Sequence, residues 1–443
     1  MSLIFTAFQL RTQELFICDD YNIYTFSKIL PNYNFVYPTS LCDDKVYFSI
    51  AENFTNLFTE SGSQYQSRPL YVFIPFVLNN ILSNFSLLQE ISFIYELSYL
   101  LTQFTISVFT LNTLINILKK YYIIKNIDIF SISLIYFMNP VQQFVMFTTS
   151  NGTLSFTMLV LSIYFLEKYL NNKNIIIVCF LIGILFLANR SFVVSLIVFL
   201  IMRLFIKKIN IKNLLEVFVG FITFWIPIYI YRLTIRLYGY EVADTNVIDY
   251  GQFIWVSKYF NSGIGFWASK FVLSKDNFDL RLKTNWDSKD EWYCQSIPEN
   301  FICYFEDIRL SSIYLFIPVF LIIFSILFSK QINSSLRKNF LITSFVTMFF
   351  WSFIGWFPPL RFGLYSYGNV LMILLILYFS SFDNLYIKLS YISTLFFGLL
   401  NISHWNNPQL IEITYLDNIS FIFLILNFYL FVQNFRKKNI EKA

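Results

Sequence analysis

The feature that most constrains this chain is a series of apolar runs from about residue 94 almost to its end, each close to the roughly 20 residues that carry a helix across a bilayer. Six runs stand near 94–118, 127–147, 153–168, 174–188, 191–206 and 213–233. Others follow near 311–329, 339–356, 364–380, 385–402 and 415–434. Hydrophobic residues make up 56% of the chain and charged residues only 13%, against roughly 25% charged in soluble domains. Such a chain cannot clothe itself in an ordinary water-facing surface. Backbone polar groups in lipid need internal partners, so the runs are expected to be helices. The expected fold is an all-α integral membrane protein of about 11 transmembrane helices.

The basic residues orient the series. Lys119, Lys120 and Lys125 follow the first run, and Lys168 and Lys173 the third. Arg203, Lys207, Lys208 and Lys212 surround the end of the fifth. Lys330, Arg337, Lys338, Lys388 and the cluster Arg436, Lys437, Lys438 continue the alternation. All fall on one side, which the positive-inside rule makes cytoplasmic. The opposite side collects residues 1–68, the break at Asn189-Arg190, the loop 234–310 and the turns at 357–363 and around His404. Residues 69–90 carry Pro69 and Pro75 and suit a helix lying at the interface.

This divides the chain into five parts. They are an outer polar segment with its interfacial helix (1–93), a first transmembrane block (94–233), a large outer loop or small cap (234–310), a second block (311–434) and a basic cytoplasmic tail (435–443). Met1 to Leu10 has no basic n-region and is followed by Arg11 and Glu14, so no cleavable signal is expected. The net charge of +5 lies in short clusters between apolar runs, which does not suit nucleic acid. The five cysteines make no metal pattern. Cys294 and Cys303 share the outer loop, either as a disulfide in an oxidising compartment or as two thiols.

Polar chemistry concentrates in Asp43-Asp44-Lys-Val-Tyr47-Phe-Ser-Ile-Ala-Glu-Asn-Phe54, followed by Tyr65-Gln-Ser-Arg68-Pro69-Leu70-Tyr71. In an extended segment successive side chains alternate, so only one of Asp43 and Asp44 can face a given point. An ionised carboxylate there can take the proton of an attacking hydroxyl, which is otherwise a weak nucleophile. The competing readings are a solvated pair at the interface or a cap on a helix starting near Val46. Asp19-Asp20 is a rival pair upstream, without the Arg-Pro-Leu-Tyr continuation.

Arg68, Arg190 and Arg361 are expected near the outer boundary. A guanidinium grips phosphate through paired donors; the plainer role is snorkelling to headgroups. His404, the single histidine, adjoins Trp405. It either reaches a phosphate or acceptor or belongs to an interface anchor. One histidine excludes a His-rich zinc site.

Three stretches resemble the polytopic glycosyltransferases of the GT-C superfamily. They are Asp-Asp-x-x-Tyr-x-x-x-Ala with Ser67-Arg68-Pro69-Leu70-Tyr71; Met138-Asn-Pro-Val141 through Gly183-Ile-Leu-Phe-Leu-Ala-Asn-Arg190; and Trp356-Phe-Pro-Pro-Leu-Arg361-Phe-Gly-Leu-Tyr365-Ser-Tyr367. The resemblance implies a polyprenyl-phosphate or -diphosphate sugar donor, with a glycan, lipid or protein hydroxyl as acceptor. It implies Asp44 or Asp43 as the base. It implies outer arginines (Arg361, Arg68, Arg190) on the phosphate, with Tyr47, Tyr365 and His404 as further substrate-binding candidates. It leaves room for a divalent cation, although the sequence shows no ligand cluster, and no other cofactor is implied. The expected setting is the bacterial inner membrane, with the active side periplasmic and membrane lipids as neighbours.

Two rivals fit the same pattern of runs. An oligosaccharide polymerase or ligase would centre on the flanks of 234–310. A transporter or lipid flippase would carry ionisable residues within its spans, whereas these runs are nearly free of charge.

Overall fold

The structure is a computed structural model and describes residues 44–59, 63–84, 94–138, 152–170, 174–207, 210–242, 323, 326–327, 332–354, 369–370 and 372–380. Every regular element among them is helical. In chain order these are α1 (Asp44–Glu52), α2 (Asn56–Thr59), α3 (Ser63–Gln66), α4 (Pro69–Leu82), α5 (Ile94–Lys119), α6 (Asn126–Met138), α7 (Thr153–Tyr169), α8 (Ile175–Phe186), α9 (Val193–Lys207), α10 (Ile211–Leu237) and α11 (Ser334–Ile354). A single 3-10 turn, Arg190–Phe192, joins α8 to α9. Among the described residues, α5 over Leu97–Lys119 and α10 are long and apolar enough to cross a membrane. This supports membrane association.

The chain divides into two units. The first holds described residues 44–117 and 152–242. At its centre is α7, buried nearly all round from Thr153 to Leu166. A helix apolar on every side belongs in an interior. Two of its hydroxyls are paired across helices: Thr157 shares a 2.8 Å hydrogen bond with Thr110 of α5, and Ser162 a 2.7 Å bond with Ser195 of α9.

The helix pair α8 and α10 packs closely because each offers a glycine where the other approaches. A Cβ on Gly183 would overlap the backbone carbonyl of Phe224, and one on Gly220 would stand 3.0 Å from the Cys179 sulfur. Small residues allowing backbones to close up are a common basis of helix pairing in lipid. Pro227 lies within α10 beside the same contact.

Asparagines punctuate the helices. The Asn189 side chain accepts the Ser191 N–H at 2.8 Å, and that of Asn210 accepts the Asn213 N–H at 2.8 Å. Each satisfies a donor that the start of a helix leaves without an intrahelical partner. The first of these caps explains a difference from the sequence reading. The run at 174–188 was expected to be a span, yet α8 has 12 residues, about 18 Å of helix, before the chain turns at Asn189.

The second unit holds described residues 118–138 and those from 323 onward. The Lys125 N–H donates to the Asp128 carboxylate at 3.0 Å, a capping contact at the start of α6. The Asn333 N–H reaches the Tyr122 hydroxyl at 3.4 Å, just ahead of α11. Residues 372–380 are helical, and Met372 to Phe379 are buried. The runs expected at 385–402 and 415–434, the loop beyond residue 242 and both of its cysteines lie outside the described residues.

Candidate active site

The polar segment singled out from the sequence folds as helix rather than strand, and Asp44 is its first helical residue. Lys45 to Glu52 contains neither Gly nor Pro, and Tyr47, Ile50 and Ala51 recur at helical spacing to form the buried stripe. The argument from alternating side chains therefore does not hold at Asp44, and the helix begins two residues before the expected Val46. Asp43 lies outside the described residues, as do Arg361, Tyr365 and His404.

Tyr47 is 1% exposed and lies at the centre of a tyrosine cluster. Its ring meets those of Tyr65, Tyr71 and Tyr99 edge to face, with centroids 5.1, 6.2 and 5.7 Å away. This is the arrangement that aromatic quadrupoles favour. The Tyr99 hydroxyl donates to the Tyr47 carbonyl at 2.9 Å, and the Gln103 amide donates to the Tyr71 hydroxyl at 2.7 Å. Both bonds fasten α5 to the segment.

Arg68 stands at the N-cap of α4, where Pro69 opens the helix without needing a backbone donor. Its guanidinium donates to the Tyr47 hydroxyl at 3.1 Å. Farther along, the Asn79 amide donates to the Ala51 carbonyl at 3.0 Å. Residue 47 thus meets 68 and residue 51 meets 79, so α1 and α4 run in the same direction. Asp44, one turn before Tyr47, opens α1 at the end that holds Arg68.

Three further hydrogen bonds draw distant segments to this end. The Leu70 N–H donates to the Leu187 carbonyl at 3.3 Å, three residues before Arg190 opens its 3-10 turn. The Tyr231 hydroxyl donates to the Gln66 carbonyl at 2.7 Å, and the Gln66 amide donates to the Glu241 carbonyl at 3.0 Å. The start of α1, the start of α4, the turn after α8 and the end of α10 therefore share one end of the first unit. Arg68 and Arg190 are both partly exposed there.

Among the described residues no three His, Cys, Asp or Glu side chains gather as metal ligands would.

Sequence reasoning missed three residues of this arrangement. Gln66, Gln103 and Tyr231 hold the segments together, but nothing local in the sequence marks which partner each meets, and only the distant contact gives it meaning. Arg203 was read as part of a basic cluster marking the cytoplasmic side, yet it is 1% exposed. It donates to the Leu170 carbonyl at the end of α7, and its second terminal nitrogen lies 3.4 Å from the Glu216 carboxylate on α10.

Compared with family models, with curated proteins and with solved structures, the chain matches none.

Proposed function

We propose that this protein is an inverting membrane glycosyltransferase. It transfers a sugar from a polyprenyl-phosphate or -diphosphate donor to a hydroxyl of a glycan, lipid or protein acceptor. In this reading about 11 helices cross the bacterial inner membrane and the chemistry faces the periplasm. Asp44 or Asp43 takes the acceptor proton as the acceptor oxygen bonds to the anomeric carbon. The bond from that carbon to the phosphate oxygen breaks, and the lipid phosphate or diphosphate leaves with the electron pair. Arg68, Arg190 and Arg361 bear the negative charge that develops on it.

One observation carries the reading. The Leu70–Leu187 hydrogen bond ties the segment of Arg68 to that of Arg190, at the end where Asp44 opens α1. Cations from two separate stretches, beside the helix that Asp44 begins, support a site where a leaving phosphate's charge is taken up.

The test offers synthetic polyprenyl-phosphate sugars to vesicles containing the full chain and follows release of the lipid phosphate. Asp44→Asn, Asp43→Asn, Arg68→Gln and Arg361→Ala are compared with the unsubstituted protein. Loss of turnover by about 100-fold or more in an aspartate variant and in at least one arginine variant is expected. Unchanged turnover in all four overturns the mechanism.

A further inference from the structure

The outer face of α10 is a surface that sugar transfer does not use. Asn213, Gly220, Phe224, Pro227 and Ile235 turn inward and are buried. Phe218, Ile222, Trp225 and Tyr229, at helical spacing on one stripe, are 60%, 48%, 44% and 67% exposed. The single acid of this helix, Glu216, is turned to Arg203. Charge returns to the exposed surface only at the ends, with Lys212 at the start and Arg232 and Arg236 at the finish. Lys212 and Arg232 stand 20 positions apart, about 30 Å of helix, the thickness of a bilayer's hydrocarbon core. A protein partner has no need of cations at that spacing. A lipid layer, with phosphates at both boundaries and acyl chains between, does.

We infer that this stripe lies against acyl chains and that Arg232 and Arg236 together hold the phosphate of an anionic phospholipid at the membrane boundary. Residues four apart share a helix face, so both guanidinium groups can address one phosphate through charge-assisted hydrogen bonds. Their aliphatic stems continue the apolar stripe. The inference rests on the membrane placement in the functional reading and not on sugar transfer.

The test uses the full chain in lipid nanodiscs. A benzophenone amino acid at Ile222 is expected to yield lipid adducts on illumination. Adducts with peptides of this chain, or with a second copy, overturn the lipid-facing assignment. Phosphatidylglycerol is expected to raise the thermal midpoint by several degrees over phosphatidylcholine. Arg232→Gln/Arg236→Gln abolishes that difference and Lys212→Gln keeps it. Inorganic phosphate added to phosphatidylcholine discs leaves the midpoint unchanged. Equal midpoints in the two lipids, a difference that survives the double substitution, or a rise with inorganic phosphate each overturns the headgroup site. The lipid-phosphate release assay is scored separately, so failure of sugar transfer and failure of this site are told apart.

Discussion

The Arg68 guanidinium rests on the hydroxyl of Tyr47, 3.1 Å away and 21 positions earlier in the chain. Tyr47 is itself held by three tyrosine rings and by the bond from Tyr99 to its carbonyl. Arg68 is therefore a cation with a fixed support, and that support suits a positioning role. Lowering the entropy of a binding group before the ligand arrives raises affinity without adding a contact.

Tyr47→Phe removes the hydroxyl and keeps the ring. In the proposed function Arg68 holds the donor phosphate, so loss of its support should raise the KM for the lipid-linked donor roughly tenfold, about 1.4 kcal/mol. The thermal midpoint should stay close to that of the unsubstituted protein. A KM unchanged in Tyr47→Phe would show that Arg68 does not depend on this support.

Tyr47→Ala should behave differently. It empties the middle of the tyrosine cluster, and large-to-small changes at buried aromatic positions cost about 3–5 kcal/mol. Chemical denaturation in detergent micelles should show this loss together with reduced donor turnover.

Gly183→Leu should separate α8 from α10, because the new side chain would have to occupy the place of the Phe224 carbonyl. Overpacking of this kind costs about 1–3 kcal/mol. The buried Cys179 thiol on the same helix pair is a built-in reporter. Mass mapping should find the Cys179 peptide unlabelled by a membrane-permeant maleimide in the unsubstituted protein and labelled in the variant.

The Arg203–Glu216 pair makes an opposite kind of prediction. Glu216→Leu leaves the buried guanidinium with its Leu170 carbonyl but without its counter-charge. Breaking a buried pair from one side costs up to about 3–5 kcal/mol. The cost here should fall at the lower end because Glu216 is 28% exposed. Adding Arg203→Met should recover most of the loss, since the charge that needed pairing is then gone. A double variant less stable than Glu216→Leu alone would mean that the pair contributes net stability.

The hydroxyl pair Ser162–Ser195 tests how much such bonds contribute between helices of this kind. A double-mutant cycle of the two alanine substitutions should give a coupling of about 0.6 kcal/mol, the average for hydrogen bonds between membrane helices. A coupling near zero would assign the contact between α7 and α9 to apolar packing alone.

The helices themselves were legible because their signals are local. Apolar runs mark α5 and α10, Pro69 falls at the start of α4, and Asn189 marks a break by capturing a nearby N–H group. At Asp44 the sequence left an extended segment and a helix starting near Val46 both open, and the structure has a helix from Asp44. The stripe Tyr47, Ile50 and Ala51 acquires its helical meaning only once α4 and α5 cover it. Arg203 was misjudged for a related reason: a charge at the end of an apolar run is usually solvated. Its burial depends on a carbonyl 33 residues before it and a carboxylate 13 residues after it.

The sequence by itself determined that the described residues are helical and largely apolar, with the basic residues gathered in short clusters between long runs. Backbone hydrogen bonding and the exclusion of charge from apolar stretches act over a few neighbouring residues, so their imprint is written along the chain. Only the tertiary structure decided that Arg68 rests on Tyr47, that its segment meets the one leading to Arg190, and that Gly183 admits the backbone of α10. Those relationships depend on which helices lie side by side, and residues far apart in sequence carry no local mark of the partner they will meet.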